Sequence, residues 1–336
     1  MNKDLIKCLK DYRFMNIKII NDPKLSGINE IVKKIYVINL IEDIRKRNYI
    51  TILLKKYKIN YNLIIFDRID KNTYDTLIDI DKNKISVSEL GCCMSHMWCL
   101  FDMLKNNYEN SIIFEDDIIL SKSFTANFLS IFKKHPKVVD FLMLGAHDYF
   151  FSKTHFKNVK NGLYRPEQNC RNLYGAHANF YSRAGAQKMF TIRATNLSFF
   201  DNEYNLLFDS LPNSYICYPN LVIANVSESS INHEKYFFTE NEIGYYNLCF
   251  HDIQLRDYNL LYTNLLDLSL LKKTDTIQTF IYRCLRLKFN DDFRTSFIIK
   301  RFALDFFTMD DLKKILSNQS LIEPNNLSKK CIGEKS

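Results

Sequence analysis

Apolar and polar positions along the chain change rhythm twice, and each change predicts a different kind of element. From Lys34 the run Ile35-Tyr36-Val37-Ile38-Asn39-Leu40 is short, apolar and β-branched, which predicts a central strand. The charged stretch Glu42–Arg47 opens a helix that runs to about Lys56, and Tyr61–Phe66 reads as a second strand. A strand–helix–strand spacing of this kind begins an α/β domain with parallel pairing. Before it, residues 1–30 form an N-terminal extension with a short amphipathic piece at Leu5–Phe14 and a turn region holding Pro23 and Gly27.

Farther along, apolar residues at helical spacing predict a helix from Ser88 to Leu104. Ser88 is its candidate cap, although Gly91 is a poor first-turn residue. Ser111–Phe114 reads as a strand that runs into Glu115-Asp116-Asp117, after which Ile118–Leu120 is apolar again. A helix at Phe124–Lys134 and a strand at Val138–Leu144 ending on Gly145 follow. Tyr174–Tyr181 mixes small and aromatic residues; Arg183–Ile192 and Asn202–Phe208 are helical, and Tyr215–Tyr218 and Leu221–Val226 are extended. These elements place an α/β domain over residues 31–240. Over residues 241–336 helical spacing takes over, around Leu260–Lys272, Thr276–Lys288, Thr295–Phe307 and Met309–Leu316, and predicts a mainly helical C-terminal region packed on that domain.

Composition narrows the function classes. With 46% hydrophobic and 25% charged residues in 336, the chain can bury a sizeable core, which excludes a disordered effector. The net charge of +8 suits an anionic substrate, but the 26 Phe and 20 Tyr are scattered through apolar stretches with no basic stripe beside them, so no nucleic-acid partner is expected. No run of 18 apolar residues predicts a membrane span, and the N-terminus lacks the pattern of a signal peptide. The nine cysteines are odd in number, include the adjacent Cys92 and Cys93, and form no C-x-x-C. They read as thiols of a reducing compartment, here the cytoplasm.

Glu115-Asp116-Asp117 carries the sharpest chemistry. Three acids between two apolar runs repel one another, and a hard divalent cation offsets that repulsion through the carboxylate oxygens that are its natural ligands. On an extended segment Glu115 and Asp117 share a face and Asp116 points elsewhere. A solvated acidic loop is the alternative.

At this point the chain resembles glycosyltransferase family 25, the lipooligosaccharide and collagen β-galactosyltransferase type. The resemblance lies in five ordered blocks over roughly residues 33–232. They are Val37-Ile38-Asn39-Leu40 with Arg45 and Arg47; Ser88-Glu89-Leu90-Gly91-Cys92-Cys93-Met94-Ser95-His96; Phe114-Glu115-Asp116-Asp117-Ile118; Tyr174-Gly175-Ala176-His177 through Tyr181–Ala186; and Asp201 followed by Tyr218-Pro219-Asn220-Leu221-Val222. Ser88 stands where the family commonly has glycine, and His177 where it often has an uncharged residue.

The resemblance implies a GT-A-like nucleotide-diphospho-sugar transferase fold and inverting transfer of a hexose, galactose or glucose. The donor would be a UDP-sugar, used with Mn²⁺ or another divalent cation, and the acceptor a glycan or a hydroxylated side chain of a glycoprotein. A homo-oligomer stays open. In this reading Glu115, Asp117 and the later His233 are the metal ligands, while Asn39, Leu40, Arg45, Glu89, Ser95, His96, Asp116, His177 and Asn179 surround the donor. Asp201 is the first choice for the general base and Glu203 the second. Several have a structural alternative: Asn39 a turn cap, Arg45 a solvated helix start, Glu89 a helix cap, His96 a core histidine, His177 and Asn179 an edge strand, Asp201 a helix cap. Two other functions compete: a glycan-binding or scaffold protein of the same fold, and a metal-dependent phosphodiesterase or nucleotidyltransferase, which would want a second cluster of ligands.

Overall fold

The computed structural model describes residues 9, 12–24, 27–76, 85–134, 139–148, 156–160, 162–166, 173–195, 200–217 and 220–224, with isolated positions between 268 and 283. Among them the main sheet contains β1 (Phe14–Ile19), β2 (Lys34–Leu40), β3 (Tyr61–Phe66), β4 (Asn110–Glu115), β6 (Phe141–Met143), β8 (Phe156–Lys160), β9 (Leu163–Pro166), β11 (Ala178–Ser182) and β12 (Ser214–Cys217). Their spatial order is β1-β3-β2-β4-β11-β6-β12-β9-β8. Two small ribbons stand apart, β5 (Ile118–Leu120) with β13 (Val222–Ala224) and β7 (His147–Asp148) with β10 (Leu173–Tyr174). β3, β2 and β4 run parallel, whereas β11 is antiparallel to both β4 and β6, so the sheet is mixed.

Alternation along the strands explains the layers. Ile35 and Val37 face one side of the sheet and Tyr36 the other; Ile112 and Phe114 likewise oppose Ile113. On the first side they pack on α1 (Gly27–Ile31), α2 (Ile44–Lys56) and α5 (Phe124–Lys134), through Ile28, Ile50, Leu54, Phe124 and Phe128. The opposite side is covered by α4 (Val87–Lys105), α6 (Arg183–Thr195) and α7 (Tyr204–Ser210), through Met97, Trp98, Met189 and Phe208. α3 (Lys71–Thr76) links β3 to the segment before α4. This three-layer arrangement is the α/β class that the pattern predicts.

The structure also departs from the pattern. β1, read as the end of an amphipathic piece and a turn, is an edge strand antiparallel to β3. Phe14, Met15 and Ile17 remain exposed on it, so burial left no alternation to read. The cap of α4 is Ser86 and not Ser88: its hydroxyl accepts from the Glu89 N–H, and Glu89 accepts from the Ser86 N–H in return. Val138–Leu144 shrinks to the three residues of β6, and Tyr174–Tyr181 divides between β10 and β11. The β8–β9 hairpin was not anticipated. Most of the predicted N-terminal piece and helical C-terminal region lies outside the described residues. What is described there includes a buried Leu9, a 3₁₀ turn at Leu268–Leu270 whose Leu270 carbonyl accepts from Arg283, and a buried Phe280.

Candidate active site

The chain leaves β2 for β3 on one side and returns as β4 on the other, so strand order reverses between β2 and β4. In α/β sheets a crevice forms at the carboxyl ends of strands flanking such a point. Here a cavity opens there. Asn39 and Leu40 at the end of β2 form one wall and Glu115, Asp116 and Asp117 after β4 another. Ser88, Gly91, Cys92 and Ser95 close it from α4, with Tyr12, Asp43 and Lys46 at its sides. Outside its own helix turn, a Cβ added at Gly91 would meet no atom of the described residues nearer than the Tyr12 hydroxyl at 4.0 Å, so the glycine leaves open space.

The acidic triplet straddles a strand end. Glu115 is the last residue of β4, Asp116 and Asp117 form a turn, and β5 starts at Ile118. The expectation that Asp116 points away assumed extended backbone throughout; the turn brings all three acids to the cavity. Asn39 Nδ2 donates to Asp116 Oδ2 at 2.7 Å, and Lys46 Nζ lies 3.6 Å from Asp116 Oδ1 and 3.4 Å from Asp43. Burial pushes the Asp116 carboxyl up to about 6 against the pull of Lys46. Asp117 is driven well above the ordinary range by burial and then by the charge of Glu115. Although burial opposes it, Asp117, Asp116 and Asp43 hold the Lys46 ammonium above its usual value.

Asp117 Oδ1 is buried, and no donor among the described residues reaches it. A buried carboxylate oxygen in that condition fits a divalent cation, which takes oxygen ligands. Glu115 has other company. His96 Nε2 is 2.9 Å from its Oε1 and Cys92 Sγ 3.6 Å. Burial alone would raise Glu115, but His96 outweighs it and holds the carboxyl below its usual range. His96 in turn stacks on Phe200 at 4.5 Å.

Of the residues expected around the donor, Asn39, Leu40, Ser95 and Asp116 reach the cavity. Ser95 bonds the Gly91 carbonyl at 2.8 Å. Arg45 is exposed on α2 and does not line the cavity; Lys46, one position on, does. Its signal was the Asp43–Lys46 pair at helical spacing. Arg47 instead clamps the end of β2, donating to Asn39 Oδ1 at 2.8 Å and to the Leu40 and Ile41 carbonyls. Glu89 is buried in the α4 capping box.

His177 and Asn179 are also away from the cavity, and the edge-strand alternative fails as well, because β11 lies inside the sheet. Asn179 is fully buried and donates to the Gly175 and Ala176 carbonyls and the Tyr204 hydroxyl. His177, 2% exposed, packs where a Cβ on Gly145 would stand 2.7 Å from its Nε2 and 1.8 Å from the Val222 carbonyl, so only glycine fits position 145. Burial pushes its imidazole down to about 4.

The two base candidates share a 3₁₀ turn, Phe200–Glu203, and diverge from it. Asp201 Oδ2 accepts from the Gly175 N–H at 3.0 Å, in place of the expected helix cap, and burial raises its carboxyl. Glu203 faces Arg193 at 3.6 Å, a fully buried cation that the sequence reading missed. His233 lies outside the described residues.

An α/β protein with acids around a crevice at a strand-order reversal belongs to a broad class that handles charged ligands. Comparison with known proteins narrows it. Residues 32–195, from β2 through α6, match the model of glycosyltransferase family 25 (LPS biosynthesis protein). That segment is similar to the family, and the match supports a glycosyltransferase role in general terms; Asp201 and Glu203 lie beyond it. No curated protein matches the chain. No helix among the described residues is long and apolar enough to cross a membrane, and Cys92, Cys93, Cys99 and Cys217 are free thiols.

Proposed function

We propose that the protein is a metal-dependent, inverting glycosyltransferase with a GT-A-like fold, moving a hexose from a UDP-sugar to a hydroxyl of a glycan or of a glycoprotein side chain. The observation that carries the proposal is the buried Oδ1 of Asp117, which no donor among the described residues reaches, in a cavity at the ends of β2 and β4. In this reading Asp117, with Asp116 beside it, would hold a cation such as Mn²⁺. That cation supplies charge neutralisation on the departing diphosphate. Asn39 and Leu40 border the nucleoside, and the open floor at Gly91 leaves it room. Lys46 adds a fixed positive charge near the phosphates.

The acceptor hydroxyl must lose a proton as it attacks the anomeric carbon. Asp201 is our assignment for that base, because burial raises its basicity and one backbone bond fixes its direction. Glu203 is less suited, being paired with Arg193. The cysteine usage supports residence in a reducing compartment. A panel of UDP-sugars tests the proposal: one of them should release UDP in the presence of Mn²⁺ and stop doing so with excess chelator. Release that chelator leaves untouched, or none from any donor, would overturn it.

A further inference from the structure

Cys92 and His96 stand one helical turn apart on α4, so both side chains leave the same face of the helix. That face meets the end of β4 at Glu115. One donor atom from each of the three residues lies within 4.8 Å of the other two. We propose that Cys92, His96 and Glu115 form a binding site for a thiophilic divalent cation of the Zn²⁺ class, separate from the oxygen site at Asp116 and Asp117.

Distances and chemistry both bear on this. Zinc–ligand bonds of about 2.0–2.3 Å place the donor atoms of a tetrahedral site roughly 3.3–3.8 Å apart. Cys92 Sγ and Glu115 Oε1, at 3.6 Å, already have that spacing, and His96 Nε2, at 2.9 Å, needs to withdraw by less than about 1 Å. Thiolate with imidazole favours zinc over the magnesium and manganese class, which prefers oxygen. Binding is an exchange of a cation for protons: the Cys92 thiol releases its proton to water and His96 binds as neutral imidazole. The charges of the Cys92 thiolate and the Glu115 carboxylate then cancel those of the ion. Cys92 and Glu115 line the crevice, so the fourth position is open to water from the cavity.

This inference does not depend on the transferase reading, and Co²⁺ tests it without any turnover. The full chain, stripped of metal and with its thiols reduced, is titrated with Co²⁺. A thiolate-to-cobalt charge-transfer band in the near ultraviolet should grow and saturate at one equivalent. Cys92→Ser should abolish the band, and Glu115→Gln should weaken Co²⁺ binding by at least the roughly 10–100-fold lost when a group behind a metal ligand is removed. Asp117→Asn should leave the band in place, which separates this site from the donor site. No charge-transfer band, or one that persists in Cys92→Ser and so arises from another of the nine cysteines, would overturn the proposal.

Discussion

Two groups of polar side chains flank β4, and one lines a cavity while the other is packed away from it. In the crevice, Asp116 has Asn39 and Lys46, but Asp117 Oδ1 has no donor among the described residues and the floor at Gly91 is open. Around β11, Asn179 Nδ2 has three acceptors although its Oδ1 has no partner among the described residues, Asp201 is tied to Gly175, and Glu203 faces Arg193. Each region holds a buried oxygen with no partner among the described residues, Asp117 Oδ1 in the first and Asn179 Oδ1 in the second, but Asp117 lines a cavity that a ligand can enter whereas Asn179 is packed inside the sheet. Substitutions in the crevice should therefore cost function at little cost in stability, and those around β11 should cost stability, with Asp201 the one residue expected to cross that line.

The largest effect should come from Asp117→Ala. Losing a cation that supplies several kcal/mol of transition-state stabilisation should lower Mn²⁺-supported turnover by ~10³-fold or more. The melting temperature should hold or rise, since a carboxyl whose ionised form burial and Glu115 both disfavour is removed. A large fall in melting temperature would put Asp117 in the same class as the β11 residues. Next, Asp201→Asn should lower kcat by ~10²–10⁴-fold while UDP affinity stays near wild type. A near-normal kcat would leave Asp201 as a tie for Gly175 and move the assignment to Glu203.

Glu203→Ala leaves Arg193 buried without that partner. Breaking a buried pair costs ~3–5 kcal/mol, and the 17% exposure of the Glu203 side chain should reduce this to roughly 2 kcal/mol, read by urea denaturation. The packed region should also show in the pH dependence. His177 titrates near 4 when folded and near 6.5 when unfolded, so the unfolded chain binds the proton first. Its contribution is present above pH 6.5 and is lost as pH falls toward 4. His177→Gln should flatten the acid side of the stability curve over that window, and an unchanged slope would refute the assignment. The smallest effect is expected of Gly91→Ala. It should stabilise α4 by up to ~1 kcal/mol while weakening donor binding, because the new methyl enters the cavity. Unchanged donor affinity would show that the ligand does not use that floor.

Much of the crevice was legible in the chain itself. The apolar runs of β2, β3 and β4 have strand length, and the acids at the end of β4 interrupt one of them. Ligand sites in α/β sheets follow from strand ends, so these residues could be placed before their contacts were known. The region around β11 was harder to read. His177 and Asn179 are polar positions beside small ones, which suits an exposed sugar-binding face; their burial depends on β4 and β6 closing over both edges of the strand. Arg193 looks like an ordinary helical surface residue until Glu203 arrives from another element. Asp116 was misdirected for a local reason, a two-residue turn that alternation along a strand does not announce. In each case the missing information was a long-range pairing or a turn.

In the proposed function Asp117 Oδ1, which no donor among the described residues reaches, faces a cation that helps hold the diphosphate of a nucleotide. Isothermal titration of UDP into the metal-stripped chain, with and without Mn²⁺, tests it most directly. Mn²⁺ should tighten UDP binding in the wild-type protein, and Asp117→Asn should remove that gain while leaving the metal-free affinity in place. Equal UDP affinity with and without Mn²⁺ in the wild-type protein, or a Mn²⁺ gain that survives in Asp117→Asn, would contradict it.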